Sequence, residues 1–166
     1  MPKANARTAI STLLLVLPLV LLAGCYSFTG GSLAYKTVAV PVAKNSTKEY
    51  RTTDAVTSNL ISAITKDGRL KLMEPKDAAS RFEMEVTGYA RDPYVYNSRE
   101  VVSQYKVTIV VKVSYLSQSG KPVWKSDAVS AWSTYQVDKG EDEAAGIEKA
   151  AQNLAAEILR QALETW

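Results

Sequence analysis

Residues 104–115 read Gln-Tyr-Lys-Val-Thr-Ile-Val-Val-Lys-Val-Ser-Tyr, and apolar side chains occupy almost every second position. This period of two is typical of a β-strand with one buried face. Odd-numbered residues from Tyr105 to Tyr115 would line that face, while polar even-numbered residues such as Lys106 would meet solvent. Only Val110 breaks the alternation. The strand would have ~12–16 residues and span roughly 40–50 Å.

Further segments predict the neighbours of this strand. Before it, another half-buried strand alternates apolar and polar residues, with the apolar ones at Phe82, Met84 and Val86. After it, a turn at Gly120 leads into a strand over residues 123–135. A short run over residues 37–42 predicts a first strand. Pro41 should hold it at a sheet edge or end there, because proline donates no ladder hydrogen bond.

The alternation in residues 123–135 is imperfect. Trp124 and Trp132 share one parity, whereas Tyr135 has the other. A β-bulge would reconcile them, because the extra residue moves the following side chains to the opposite face. We interpret these two tryptophans and Trp166 as core or sheet-edge anchors rather than as a ligand cage.

Two amphipathic helices are predicted from apolar residues at helical spacing. The first is capped by Thr52 or Thr53, has ~14 residues and ends at Gly68, which suits a left-handed cap. The second follows Gly140 and carries a long apolar stripe that includes Leu154. The order β-α-β-β-β-α predicts an α+β two-layer sandwich, with a mostly antiparallel four-stranded sheet and two helices on one face.

The amino-terminal residues predict an export leader that ends at the only cysteine. Lys3 and Arg7 precede an apolar run over residues 13–23, which is about half of the ~20 residues that a membrane span needs. The run leads into Leu-Ala-Gly and Cys25. This pattern resembles the lipobox of bacterial lipoproteins, in which the cysteine thiol receives a diacylglyceryl group and the new amine is acylated. The alternative is an ordinary signal peptide followed by a free, buried cysteine.

We therefore expect a cleaved leader over residues 1–24, a lipidated tether over residues 25–35 and a single domain over residues 36–166. Several acyl chains anchor a protein firmly, whereas one chain binds only reversibly. The residue after the cysteine is Tyr26. An aspartate at this position would resemble the signal that retains bacterial lipoproteins at the inner membrane. The resemblance therefore implies an outer-membrane lipoprotein on the periplasmic side.

The composition argues against an enzyme. The chain has no histidine and one cysteine, which excludes Ser-His and Cys-His pairs, an internal disulfide and a cysteine-rich metal site. Glu83 and Glu85 share a strand face, an arrangement compatible with paired catalytic carboxylates, but that face is the predicted solvent face, so we interpret them as structural. A formal net charge of +3 does not favour nucleic acid. No cofactor or metal is expected.

In their order, these motifs resemble the lipopolysaccharide-assembly lipoprotein family LptE. The matching pieces are Cys25-Tyr26 with the glycines after it, Val38-Ala39-Val40-Pro41, the helix over residues 54–64, Gly120-Lys121-Pro122-Val123-Trp124 and the alanine-rich last helix. The resemblance implies a non-enzymatic protein that plugs a large outer-membrane β-barrel, LptD, in a one-to-one complex. It also implies a role in barrel assembly and in delivering lipopolysaccharide to the outer leaflet. The alternative is another outer-membrane-anchored module that binds peptidoglycan or a protein.

Antiparallel geometry predicts where a ligand would bind. Residues 96–99 and residues 138–140 each follow a strand and should lie at the same end of the sheet. Arg99 and Lys139 there are candidates for binding lipopolysaccharide phosphates, and the resemblance implies that basic residues at these places do so. Lys106 and Arg91 are weaker candidates. The alternative is that Arg99 and Lys139 are solvated loop charges.

Two tyrosines that we expect to be exposed are candidates for contact with a partner. Tyr94 and Tyr96 lie in an aromatic segment, Asp-Pro-Tyr-Val-Tyr, next to the predicted ligand-binding end. Tyrosine offers a large contact area at a modest entropic cost. The alternative is local packing on the end of the sheet, which is favoured more for Tyr94 than for Tyr96.

Overall fold

The computed structural model describes residues 33–164. In chain order the elements are β1 (Thr37–Ala39), β2 (Lys44–Asn45), α1 (Arg51–Asp67), β3 (Lys71–Leu72), β4 (Ser80–Tyr96), β5 (Val102–Ser117), β6 (Pro122–Gln136), a 3-10 turn (Val137–Lys139) and α2 (Glu143–Glu164). Among these residues, neither helix is long and apolar enough to cross a membrane. The predicted leader, Cys25 and Trp166 lie outside the described residues. Leu33 and Tyr35, at the end of the predicted tether, pack against the core.

The α+β class with two helices is confirmed, but the prediction of a mostly antiparallel four-stranded sheet is wrong. The sheet is mixed and has six strands, in the order β3-β1-β4-β5-β6, with β2 also paired to β4. The long strands β4, β5 and β6 are antiparallel, whereas β1 pairs in parallel with β3 and β4, and β2 pairs in parallel with β4. Strands β2 and β3 have two residues each, too few to produce an alternating pattern.

The predicted bulge in β6 is confirmed, and it separates the two tryptophans. Val113 pairs with Ser126 and Val111 with Val129, so two residues of β6 face one residue of β5 between them. Trp124 therefore lies on the helix-covered side and packs against the core. Trp132 lies on the opposite, outer face and is 51% exposed.

Helix α1 starts differently from the prediction. Its cap is Tyr50, which makes no side-chain capping bond, and the Glu49 carboxylate accepts the Arg51 backbone N–H instead, at 3.1 Å. Thr52 is inside the helix, where its hydroxyl donates to the Glu49 carbonyl at 2.7 Å. The predicted end is confirmed, since Gly68 has a φ of +73° and donates to the Ile64 carbonyl.

Helix α2 lies unusually close to the sheet at Gly146. A Cβ atom at this position would be 2.6 Å from Cδ1 of Tyr135 and 3.1 Å from Cγ2 of Val107. The Ser133 hydroxyl also donates to the Gly146 carbonyl at 2.7 Å in the buried interior. The absence of a side chain at Gly146 therefore sets the distance between α2 and strands β5 and β6.

Candidate ligand-binding end of the sheet

The two predicted ligand-binding segments lie at the same end of the sheet. Tyr96 pairs with Val102 where β4 turns into β5, and Gln136 pairs with Gln104 where β6 ends. The turn over residues 97–101 and the segment over residues 137–142 therefore leave the sheet at one end, as the antiparallel order predicts. We call this the loop end.

The turn between β4 and β5 is held by Asn97. The Asn97 side-chain oxygen accepts the backbone N–H groups of Arg99 at 2.9 Å and Val101 at 3.1 Å. Glu100, between them, has a left-handed φ of 59°. This backbone fixes where Arg99 leaves the turn. Its side chain is exposed and has no hydrogen bond or ion pair within residues 33–164.

The segment after β6 is held by Glu141. One Glu141 carboxylate oxygen accepts the Gln136 backbone N–H at 2.7 Å, and the other pairs with the Lys149 ammonium at 2.7 Å. The hydrogen bond from Lys149, followed by the one from Gln136, lowers the pKa of Glu141. Lys149 is therefore engaged, whereas the exposed Lys139 ammonium makes no hydrogen bond or ion pair in the described part of the chain and acts on Glu141 through its charge alone.

Arg91 lies on the helix-covered side of the sheet, among tyrosines. Its guanidinium carbon is 3.7 Å from the centroid of the Tyr105 ring, and Nε donates to the Tyr135 hydroxyl at 2.5 Å. That hydrogen bond is the main cause of the raised pKa of Arg91. The Tyr105 and Tyr135 rings are stacked, with centroids 5.6 Å apart. One face of Arg91 is thus committed to packing within the chain.

Lys106 lies on the outer face, in what we call the Trp132 cluster: Tyr94, Lys106 and Trp132. The Lys106 ammonium is 4.8 Å from the centroid of a Trp132 ring, and the Tyr94 and Trp132 rings are 6.3 Å apart. Sequence reasoning singled out Tyr94 and Lys106 but not their contact with Trp132. The parity change in β6 places Trp132 on the outer face, but only the register of β6 with β5 brings it to Lys106. Tyr96, at the end of β4, is 57% exposed.

Both helices begin near the loop end and are tied to β4 there. Arg51 at the start of α1 pairs with Glu143 at the start of α2, with 3.3 Å between Nη2 and Oε2. The Tyr89 hydroxyl on β4 donates to the other Glu143 oxygen. Burial, and then this carboxylate, raise the pKa of Tyr89, so the phenol remains a neutral donor. Through Glu143, these contacts hold the first residues of both helices against β4 near the loop end.

Glu83 and Glu85, the neighbouring carboxylates on one face of β4, have separate partners. Glu83 pairs with Arg81 at 2.7 Å, and Glu85 accepts the Ser46 hydroxyl at 2.5 Å. Within residues 33–164, no three His, Cys, Asp or Glu side chains are grouped so that they could hold a metal ion.

The chain matches a known protein family over most of its length. The model of the family LptE, described as lipopolysaccharide-assembly, matches residues 35–162. A search of curated proteins finds no match.

Solved structures of lipoproteins are similar to the chain in fold. A minor lipoprotein from Acinetobacter baumannii is 16% identical over 80% of this chain and 94% of that chain, with a TM-score of 0.52. Lipoprotein B from Nitrosomonas europaea is 11% identical over 78% and 84%, with a TM-score of 0.54. A PelC variant from Paraburkholderia phytofirmans, a dodecamer, is 17% identical over 77% and 88%, with a TM-score of 0.53. At these identities, the similarity shows the fold alone.

Proposed function

The chain belongs to the LptE family of lipopolysaccharide-assembly proteins, and we propose that it plugs the lipopolysaccharide-exporting barrel LptD in the outer membrane. In this role it assists assembly of the barrel and helps deliver lipopolysaccharide to the outer leaflet, without enzymatic activity. The observation that carries the proposal is the extent of the family match. Residues 35–162 include every strand and nearly all of the last helix.

The loop end is the proposed contact with lipopolysaccharide. Arg99 and Lys139 are exposed cations that make no side-chain hydrogen bond or ion pair in the described residues, and phosphates on a sugar headgroup are strong acceptors for guanidinium and ammonium groups. Lys106 is a second-rank candidate because it faces outward beside Trp132. Arg91 is weaker still, since Tyr105 covers one face of its guanidinium.

Two tyrosines near the loop end are the proposed contacts with the wall of the barrel. Tyr94 and Tyr96 are more than half exposed, at 52% and 57%, and exposed tyrosines are typical of protein interfaces. The outer face of the sheet also carries Lys106, Thr108 and Lys112, opposite the helices. A polar face of this kind suits the polar lumen of a β-barrel.

Affinity capture tests the function directly. The intact lipidated protein is captured from detergent-solubilised membranes, and the co-purified material is identified by mass spectrometry. We expect one large β-barrel protein in stoichiometric amount. Recovery of a cell-wall fragment, or of a soluble protein complex without a barrel, would contradict the proposal and favour the alternative binding module.

The lipid anchor is tested at its attachment residue. Mass spectrometry of the mature protein should find a diacylglyceryl group on the thiol of Cys25 and an acyl chain on its amine. Each buried methylene contributes ~0.8 kcal/mol to membrane binding, so Cys25→Ser, which has no thiol to acylate, should lose the acyl chains and their contribution to membrane binding. Tyr26→Asp is the matched control, because it leaves lipidation intact and should redirect the protein to the inner membrane. A bare thiol in the natural protein would rule the anchor out.

A further inference from the structure

Strand β6 has a free edge, and two contacts reveal which of its backbone groups point outward. In the described sheet, β6 pairs with β5 alone. On its other side, the Asn153 side chain donates to the Trp132 carbonyl at 3.0 Å. Gln136 donates its N–H to the Glu141 carboxylate and accepts the Glu141 N–H at 3.0 Å. Trp132 and Gln136 thus direct their backbone groups away from β5.

The same orientation extends to the residues between and before them. The register of β6 with β5 is unbroken from Val129 to Gln136, and alternate residues of an antiparallel strand direct both N–H and C=O to the same side. Ser130 and Thr134 therefore also point outward. Within residues 33–164 their outward N–H and C=O groups have no partner, and neither does the N–H of Trp132.

This part of the edge also lacks the features that usually protect one. Natural sheets guard exposed edges with lysine, proline or bulges, because unpaired backbone groups recruit other strands. The first half of β6 carries such guards at Pro122, Lys125 and the bulge beside Asp127. The stretch from Ser130 to Thr134 carries none of them.

The Trp132 carbonyl is taken by Asn153, but the free N–H groups of Ser130, Trp132 and Thr134 and the free carbonyls of Ser130 and Thr134 are complementary to one kind of ligand, an extended polypeptide backbone. We propose that the edge of β6 from Ser130 to Thr134 binds an extended segment of the barrel partner as an additional strand. The identity of the partner rests on the proposed function. The addition of a strand follows from the free backbone groups of the edge itself.

The two faces of the edge specify the side chains of that segment. On the outer face, the residue opposite Trp132 would lie beside a half-exposed indole, where an aromatic or β-branched side chain packs well. On the helix-covered face, Asn153 and Glu157 of α2 border the groove along Ala131 and Ser133. Small side chains fit there. The segment should therefore alternate large apolar and small residues.

A second copy of this chain fits the edge less well than a single segment. Helix α2 packs on β6 and reaches the edge through Asn153. Paired strands lie ~4.8 Å apart, whereas packed helices need about 8–10 Å between their axes. Two copies joined antiparallel through this edge, with their helices on the same face of the sheet, would bring their α2 helices too close together.

Amide hydrogen exchange tests the pairing without a substitution. Exchange is compared between the intact protein alone and its co-purified complex with the barrel. We expect the Ser130, Trp132 and Thr134 amides to exchange about tenfold or more slowly in the complex. The Ala131 and Ser133 amides, which face β5, should be protected in both states.

The possible outcomes separate the two proposals. If a complex forms and the three edge amides exchange as before, the strand addition is overturned and the proposed function stands. If no barrel is recovered, both are overturned. Protection that appears in the protein alone as its concentration rises would assign the edge to a second copy and overturn the inference.

Proline substitution gives an independent test. Ser130→Pro and Thr134→Pro remove an outward N–H but no bond to β5, and proline is tolerated on strand edges. Recovery of the barrel should fall about tenfold or more. A carbonyl of the added strand would lose the N–H group on β6 that it binds, and the proline ring would obstruct the approach of that strand. Ser130→Ala and Thr134→Ala keep the N–H and should retain recovery. Equal recovery with well-folded proline variants would overturn the inference, and if they unfold, the exchange comparison decides.

Discussion

Lipopolysaccharide binding by the purified protein is expected to disappear when Arg99 and Lys139 are both replaced by glutamate. Each cation would make charge-assisted hydrogen bonds to phosphate, worth about 1.5–3 kcal/mol each. Losing both should weaken binding roughly a hundredfold or more, and the new carboxylates would also repel the ligand. The fold should persist, because both side chains are exposed and make no hydrogen bond or ion pair in the described chain.

A matched control is available at the opposite end of the sheet. Lys121 and Lys125 are exposed beside the turn between β5 and β6, and Lys121→Glu with Lys125→Glu makes the same change in net charge. This control should retain binding, measured with purified lipopolysaccharide at fixed salt because ion pairing is screened. Equal binding by the two double variants would show that the loop end does not hold the ligand. Circular dichroism checks that each variant is folded.

Gly146→Val is expected to lower the free energy of unfolding by about 3 kcal/mol, as overpacking of a close-packed core does. The added Cβ would be 2.6 Å from the Tyr135 ring. That ring has little room to move, because Tyr135 is 1% exposed, stacks on Tyr105 and accepts a hydrogen bond from Arg91. Helix α2 would have to lift from the sheet.

Urea unfolding followed by circular dichroism measures this effect. Ala144→Val is the control, since residue 144 is an exposed position of the same helix and the change should cost only helix propensity, about 0.5 kcal/mol. If Gly146→Val were no less stable than this control, the close approach of α2 to Tyr135 would be wrong. A shift of α2 would also disturb the starts of both helices at the loop end, because Glu143 joins Arg51 to Tyr89 there.

The parts of the fold that sequence reasoning predicted are those in which apolar residues recur with a regular period over many positions. Strand β5 repeats its alternation over Val102–Ser117, and α1 buries Val56, Leu60 and Ile64 at helical spacing. The bulge in β6 was predictable because the two tryptophans and Tyr135 differ in parity. Strand β2 was missed and β3, an extended piece in the sequence, was not counted in the sheet, because two residues carry no period and their partners are distant along the chain.

The candidate site was predictable only in part. The antiparallel order already brings residues 97–101 and 137–142 to one end of the sheet, so Arg99 and Lys139 could be grouped from the sequence. The surroundings of Lys106 and Arg91 could not be predicted from the sequence. Trp132 lies under Lys106 and Tyr105 under Arg91 through contacts between strands, whose register a single sequence does not reveal.

What the sequence by itself determined is local: the alternation of β4 to β6, the two apolar helical stripes, the left-handed stop at Gly68 and the lack of histidine chemistry. These follow from each residue and its near neighbours. What only the tertiary structure decided is the parallel pairing of β1, the contact of Gly146 with Tyr135 and the unpaired edge from Ser130 to Thr134. The physical reason is that these features depend on which distant backbone groups find partners, and that is settled only when the whole core packs.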